Sequence, residues 1–470
     1  MTDTFDFTGK LKKSLFYMMG AGVLGILLLV VFYPQNHFSR LWSNILANTY
    51  FFTGIGLFGL FVVAATQLAY GGWQTLMKRI FLSLSAFTRI GGFLLAGILI
   101  LGILGVHNLY DHATSIVKAH TILPKFTTKV IYFSTVFWVG RVLLYAILWY
   151  LFSITMNKFF ARTDQTNPKV YKKSKLLAAA FIVVFAVTES AISWDMIMSL
   201  DTGWYSTLFG WYNFASYGCA AWGMTILLVI YLKSKGYASR INENHVHDLG
   251  KMLFGFSILW TYMWFDQFML QWFGNIPEET SFWVKRFDVN YFTFTIVLSL
   301  IINFGFPVFF LITRGAKRNF RVIGFGAALL IFGHYVDFFN YTFVESNWNK
   351  EALEAKKESA IKTSKIVFYA EATENKSAAS DVNKAKENTG AVATEVKKEI
   401  GEKKEGGEKV EEPEAPVKNY AGIGIGELLV FTGFLGVFLY LFFLNLSKRP
   451  IIPENDPYLK EAEKLVVTYA

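Results

Sequence analysis

Seven residues carry chemistry where this sequence is otherwise apolar. Arg141 and Glu189 sit near the middle of long hydrophobic runs, and Asp195 ends one. Asp266 lies in the outer half of another, followed by Gln267 and Gln271, and Glu427 opens the last. His334 and Asp337 are three residues apart and so share a helical face. A charge at the centre of a bilayer costs about 2.5–3.5 kcal/mol on insertion scales, so each such group needs a partner or a water-filled pocket. A fixed cation keeps a neighbouring acid ionised, whereas an unpaired buried acid holds its proton near neutral pH. One cation among several acids therefore suits proton exchange, with Asp266 or Glu189 as the expected partner of Arg141. The plainer alternative is that Arg141 and one acid only tie two helices together. His334 alone reads as a satisfied core histidine; with Asp337 one turn away it becomes a relay candidate, because imidazole titrates near physiological pH.

The elements that must hold these groups are membrane spans. Of 470 residues, 53% are hydrophobic and 17% charged, against roughly a quarter charged in soluble domains. Runs long enough to cross about 30 Å of hydrocarbon lie near 14–33, 47–69, 88–107, 130–154, 175–195, 207–232, 250–273, 290–313, 319–340 and 422–446. The expected fold is all-α and integral to the membrane, with about ten transmembrane helices. Residues 1–349 carry the first nine, 350–418 a charged low-complexity loop outside the membrane, and 419–470 the last helix and a tail.

Lys and Arg in short loops give the orientation. Lys10, Lys12, Lys13, Lys78 and Arg79, the 155–175 loop, Lys233, Lys235, Arg240, Arg314 to Arg321, Lys448 and Arg449 all fall on one side. The opposite short loops hold few cations, Arg40 among them. Both termini are therefore expected in the cytoplasm of a bacterium, with the chain in its inner membrane. The formal charge of +10 follows from these loops, which argues against nucleic acid as a partner. The 350–418 stretch, rich in Lys, Glu and Ala, reads as a periplasmic loop that orders little of itself, a tolerated insertion or a docking arm.

One cysteine, Cys219, cannot build a thiolate iron–sulfur site or a c-type haem attachment. The remaining histidines, His37, His107, His112, His120, His245 and His247, fall in loops or at span ends, which argues against a bis-histidine haem b. Any redox centre belongs to a partner. In the inner half Thr225, Ser257, Thr295, Ser299 and Asn303 offer hydroxyls and amides but no acid, a weakness for a complete proton path. On the outer side, 188–216 and 263–287 are aromatic segments suited to lying along the interface, where a quinone headgroup or a peripheral subunit could dock.

The stretch SWDMIMSLDTGWYSTLFGWY (193–212) resembles a signature of the NrfD/polysulfide-reductase-like (PsrC-like) membrane subunits of bacterial alternative complex III. LGKMLFGFSILWTYMWFDQFMLQWFGNIPEET (249–280) and SKRPIIPENDPYL (447–459) are similar to the same group, closer to its ActF type than its ActC type. The resemblance covers most of the chain except 350–418, whose charged insertion departs from the pattern. It implies two four-helix bundles, spans two to five and six to nine, flanked by the first and last helices. It also implies a quinol:cytochrome c or quinol:oxidase oxidoreductase whose sister NrfD-like, iron–sulfur and c-type cytochrome subunits carry the electrons. In that setting no cofactor is bound covalently here and quinol is nearby at most. The chain then contributes a proton-conducting path or quinol-side packing, with Arg141, Glu189, Asp195, Asp266, His334, Asp337 and Glu427 as one polar cluster in the outer half. Two alternatives stay open: a secondary transporter, disfavoured by spans in which only Pro307 interrupts, and a purely structural anchor of the complex.

Overall fold

The computed structural model describes residues 4–119, 127–160, 167–287, 293–343, 423–454 and 456–465; the charged stretch 350–418 lies outside the described residues. Nine helices are long and apolar enough to cross a membrane among the described residues. They are α1 (Gly9–Phe32), α2 (Gln35–Leu68), α3 (Thr75–Ile103), α4 (Thr135–Phe160), α5 (Pro168–Met196) and α6 (Leu208–Ser234), then α8 (Phe294–Leu311), α9 (Phe320–Phe343) and α10 (Ile425–Leu446). Between α6 and α8 lies α7 (Glu243–Gly274), 32 residues long, or about 48 Å at 1.5 Å per residue. It is less apolar because Asp266, Gln267 and Gln271 occupy its C-terminal half. No strand occurs among the described residues, only an isolated bridge between Thr4 and Pro450. This is an all-α, multi-pass membrane protein.

Large apolar side chains remain exposed along the outward faces, such as Val136 at 87% and Tyr17 at 78%. In water such surfaces would aggregate; against acyl chains they are the expected coat. The interior holds an aromatic core that runs through α2, α5, α6 and α7, with Phe58 packed edge-on against Tyr217, Trp222 and Phe256. Helices α2 to α5 form one bundle and α6 to α9 a second, joined where α6 packs on α2 and α5. Within the second, Gly223 of α6 brings the Ala327 carbonyl and Ile331 of α9 close. The flanking helices α1 and α10 pair through small residues: a Cβ on Gly22 would lie 2.5 Å from the Gly433 Cα, and one on Gly25 2.7 Å from the Gly426 carbonyl oxygen. Apolar tails cannot drive such association in lipid, so close backbone approach supplies the contact instead.

Several helices begin earlier than hydropathy suggests, and this corrects the placement of three cations. Arg40 lies inside α2, buried and bonded to Glu427 of α10, rather than in a loop. Lys78 and Arg79 lie within α3, both buried, and Lys78 meets Asp456 of the tail at 2.7 Å. Each partner is hundreds of residues away, so no local window reveals that the charge is neutralised. Helix α7 starts at a capping box in which Asn242 accepts from the His245 amide, and it stops at Asn275 in the left-handed region (φ 47°).

Two helices are less regular than the sequence suggested. Helix α3 breaks into a turn over 85–87, where Ser85 Oγ donates to the Leu82 carbonyl and Thr88 Oγ1 to the Ser85 carbonyl. Hydroxyls that bond the preceding turn compete with the helical ladder and bend it. Helix α8 widens to π-helical turns over Ile301–Gly305 and Pro307–Leu311, around the proline that removes one donor.

At the end of the bundle that carries Lys78, the tail after α10 draws several connections together. Tyr458 meets Tyr171 at 3.1 Å, Arg240 pairs with Glu454 and Glu463, and His245 Nε2 meets the Ala462 carbonyl at 2.9 Å. The shared tail contacts place these connections on one end.

Candidate functional site

The most connected polar site lies in the second bundle. Asp337 of α9 is 4% exposed, yet its carboxylate accepts three hydrogen bonds from side chains. Tyr212 donates to Oδ1, while Trp260 Nε1 (3.0 Å) and Ser216 Oγ (3.2 Å) lie on Oδ2. Ser216 Oγ also meets His334 Nδ1 at 3.0 Å, so one hydroxyl bridges imidazole and carboxylate. The Trp260 ring stands edge-on to His334, fixing the plane of the imidazole. His334 Nε2 is buried without a protein partner. A relay needs a route on to water, and that free nitrogen is its open end. The expectation that His334 and Asp337 act on one face therefore gains a third member, Ser216, and two donors that the sequence did not mark.

Glu189 belongs to a second site, between α2, α5 and α6. It is 5% exposed; Ser190 Oγ donates to Oε2 at 3.2 Å, and the Tyr217 hydroxyl is its other side-chain partner, at longer range. Its charge reaches the buried Tyr50 and Tyr217 hydroxyls, neither of which makes a hydrogen bond of ordinary length. These buried groups are joined only by contacts longer than an ordinary hydrogen bond, Tyr217 to Glu189 and Tyr50 to Ser193, a spacing that water in a polar site completes. Tyr217 and Ser216 are neighbours on α6. One turns to Glu189 and the other to Asp337, which makes α6 the wall shared by both sites.

The remaining acids separate from this pair. Arg141 does not take Asp266 or Glu189; its guanidinium clamps Asp195, with Nε at 2.9 Å and Nη2 at 2.5 Å from the two oxygens. Tyr132 and Phe137 rings lie 3.9 Å and 4.6 Å from the guanidinium carbon. The reason is helical phase: Asp195 lies at the end of α5, wholly buried at the level of Arg141 on α4, whereas Asp266 is half-buried on α7 with no ion pair among the described residues. Glu427 is satisfied by Arg40 and by the Gly424 amide at 2.9 Å, which closes the start of α10 onto α2. The seven residues thus form separate sites rather than one cluster.

Sequence reasoning missed a polar face on α2. Asn44, Asn48, Thr49 and Tyr50 are buried there, and Asn48 Nδ2 meets the Asn44 Oδ1 at 2.6 Å and Tyr335 at 3.5 Å. The signal was present as two asparagines four apart in SNILANTY (43–50), but neutral amides draw less notice than charges. Of the hydroxyls and amides expected without an acid, Asn303 and Ser299 are brought together. Asn303, in the π-helical turn of α8, donates to Ser299 at 3.1 Å and lies against Gly333, next to His334 in sequence. Further on, Ser85, Ser153 and Asn157 form a hydrogen-bonded group at the break in α3.

Above these sites the two aromatic segments make one platform. Trp204 stacks on Phe282 at 3.8 Å, Trp204 and Trp283 both donate to Gln271 Oε1, and Lys285 meets Asp201 at 2.7 Å. Tyr205, Trp211, Trp272 and Phe273 stay exposed around it.

Fold and site together define a multi-pass helical membrane protein with buried protonatable groups on both sides of α6. No protein-family model matches the chain, and none of the curated proteins compared with it matches.

Proposed function

We propose that this chain is a membrane subunit of a quinol-oxidising respiratory complex, and that its two bundles carry protons between buried sites and the outer surface. The observation that carries the reading is the His334–Ser216–Asp337 bridge, with its unpaired Nε2 and with Glu189, Tyr50 and Tyr217 across α6. Protonatable groups joined by a hydroxyl, beside polar atoms that call for water, are what stepwise proton transfer requires. The resemblance of 193–212, 249–280 and 447–459 to NrfD-like subunits supplies the complex: a sister membrane subunit, an iron–sulfur subunit and c-type cytochromes. Electrons pass through those partners, and quinol meets this chain at most along its aromatic platform. The basic loops favour both termini in the cytoplasm of a bacterial inner membrane.

Arg141–Asp195 and Arg40–Glu427 favour a second role beside the first, since each ties two helices together. The test is to purify the complex by a tag on this chain, reconstitute it in vesicles, and follow quinol oxidation together with proton movement. Co-purifying multihaem c and iron–sulfur subunits support the assignment. Asp337→Asn is expected to leave assembly and quinol oxidation in place while lowering proton movement at least tenfold. Unchanged proton movement in an assembled Asp337→Asn complex leaves the anchoring role alone standing, and a chain that arrives without partners removes the complex from the reading.

A further inference from the structure

At the end of the bundle that carries the tail, α3, α4 and the last turn of α10 enclose a cavity of about 320 Å³. Five cations line it: Arg79, Arg89, Lys158, Lys448 and Arg449. No carboxylate lines it, and Arg89, Lys158, Lys448 and Arg449 make no ion pair among the described residues. Arg449 also lies within electrostatic reach of Arg79, so like charges converge on one space. The positive-inside tendency explains cations at this end of a span. It does not explain a concave site that gathers them from three helices.

The floor of the cavity is a fixed hydrogen-bonded net made only of neutral partners. Arg89 Nε donates to Ser153 Oγ at 3.1 Å and Nη2 to Asn445 Oδ1 at 3.4 Å. Asn445 Nδ2 donates to Asn157 Oδ1 at 2.9 Å, and Arg449 Nη1 reaches the Asn157 carbonyl at 3.5 Å. These bonds orient the guanidinium groups without cancelling their charge, leaving donors for an anion with several oxygens. The volume sits at the low end of ligand-sized cavities, about 300–1,000 Å³, and suits a headgroup rather than a large cofactor. Beside the basic mouth, Leu151 (50%), Ile154 (37%) and Leu444 (37%) present exposed apolar side chains on the membrane-facing surface.

The geometry points to a binding site for the phosphate group of an anionic phospholipid, its headgroup among the five cations and its acyl chains along α4 and α10. Basic pockets between spans at the membrane surface are suited to such headgroups. The ligand chemistry, a phosphate anion, is shared with soluble phosphates, and the apolar margin selects the lipid. Bound there, the lipid would join three helices from both halves of the sequence.

The experiment is a thermal-stability titration of the purified full chain in mild detergent, read by exposure of Cys219 to a thiol-reactive dye. Phosphatidylglycerol and cardiolipin are compared with phosphatidylcholine, inorganic phosphate and pyrophosphate. Lys448→Gln/Arg449→Gln removes two exposed cations of the pocket. Lys172→Gln/Lys173→Gln removes two exposed cations from the same end outside it. The expected result is stabilisation by the anionic lipids alone, with half-saturation shifted at least tenfold in the pocket variant and unchanged in the control variant. Stabilisation by inorganic phosphate or pyrophosphate equal to that by lipid overturns the lipid assignment. An equal shift in both variants, or none in the pocket variant, overturns the site. If the pocket variant is already unstable in phosphatidylcholine, Arg89→Lys, which keeps the charge but loses the fork, replaces it, and the same shift is expected.

Discussion

Removing Arg141 should cost more than removing its carboxylate, and the structure says by how much. Asp195 is wholly buried, whereas the Arg141 side chain is 12% exposed and keeps two aromatic faces and the Tyr132 carbonyl at 3.3 Å. Breaking a buried pair from one side generally costs about 3–5 kcal/mol, because the other charge is stranded. In Arg141→Met the stranded group is Asp195. Its escape is to take up a proton, which at pH 7 costs about 1.4 kcal/mol for each pH unit above the ordinary carboxyl value near 4, about 4 kcal/mol in all. In Asp195→Asn the stranded group is a guanidinium near the N-terminal end of α4, where it retains ring contacts of about 0.5–2 kcal/mol and reaches toward the headgroups. That loss should stay near 1–3 kcal/mol. The paired Arg141→Met/Asp195→Leu variant strands no charge, leaves only the Tyr132 and Tyr145 hydroxyls without Asp195, and should recover most of the loss. The assay is built into the chain: its single cysteine, Cys219, is buried in α6 and bonded to Ser257, so a thiol dye reports unfolding. The Arg141→Met deficit should shrink as the pH falls from 8 to 5. Equal losses in both single variants, or a double variant as weak as their sum, would refute the argument that the pair is a tie made against burial.

Other expectations follow from single contacts. Gly433→Leu should split α1 from α10, since its Cβ would lie 2.5 Å from the Gly22 Cα, and lower stability by about 1–3 kcal/mol or more. Gly20→Leu, on α1 beside Gly22 but facing open space, should change nothing in the Cys219 assay. Lys78→Met should strand Asp456 and loosen the tail, seen as faster limited proteolysis between 447 and 465 with the core fragment intact. His107, past the end of α3, is pushed below its ordinary pKa by burial, with Nε2 at 2.9 Å from the Ile98 carbonyl and Nδ1 accepting from the Leu109 amide. Neutral His107 is favoured when folded, so stability should fall as the pH drops below about 6.5, and His107→Gln should flatten that part of the pH profile, checked by midpoints between pH 8 and 5.

The spans were legible because apolar length is a property of the local chain, whereas the two-bundle arrangement was only what the resemblance of 193–212, 249–280 and 447–459 implied. Rotational phase was not legible. Whether Arg141 faces Asp195, Glu189 or Asp266 depends on how α4 is turned against α5 and α7, and packing of large side chains such as Trp138 and Trp149 sets that angle. Long-range neutralisation was equally hidden: Arg40 and Lys78 read as loop cations until Glu427 and Asp456 are brought beside them. The His334–Asp337 pair was visible by spacing, but Ser216, Tyr212 and Trp260 come from other helices and carry no mark of their own. The asparagines of α2 did carry one, in a fourfold spacing overshadowed by nearby charges.

The glycine contact between α1 and α10 also sets an order of events during synthesis. Gly433 is made about 400 residues after Gly22, and at about 5–20 residues per second that interval is roughly 20–80 s. Throughout it, the Gly22 face of α1 lacks α10 and is left to lipid or to another protein. Helix α1 thus completes its packing only after α10 has been made. A defect in α10 would be felt as a failure to finish closing a bundle whose other members are already in contact.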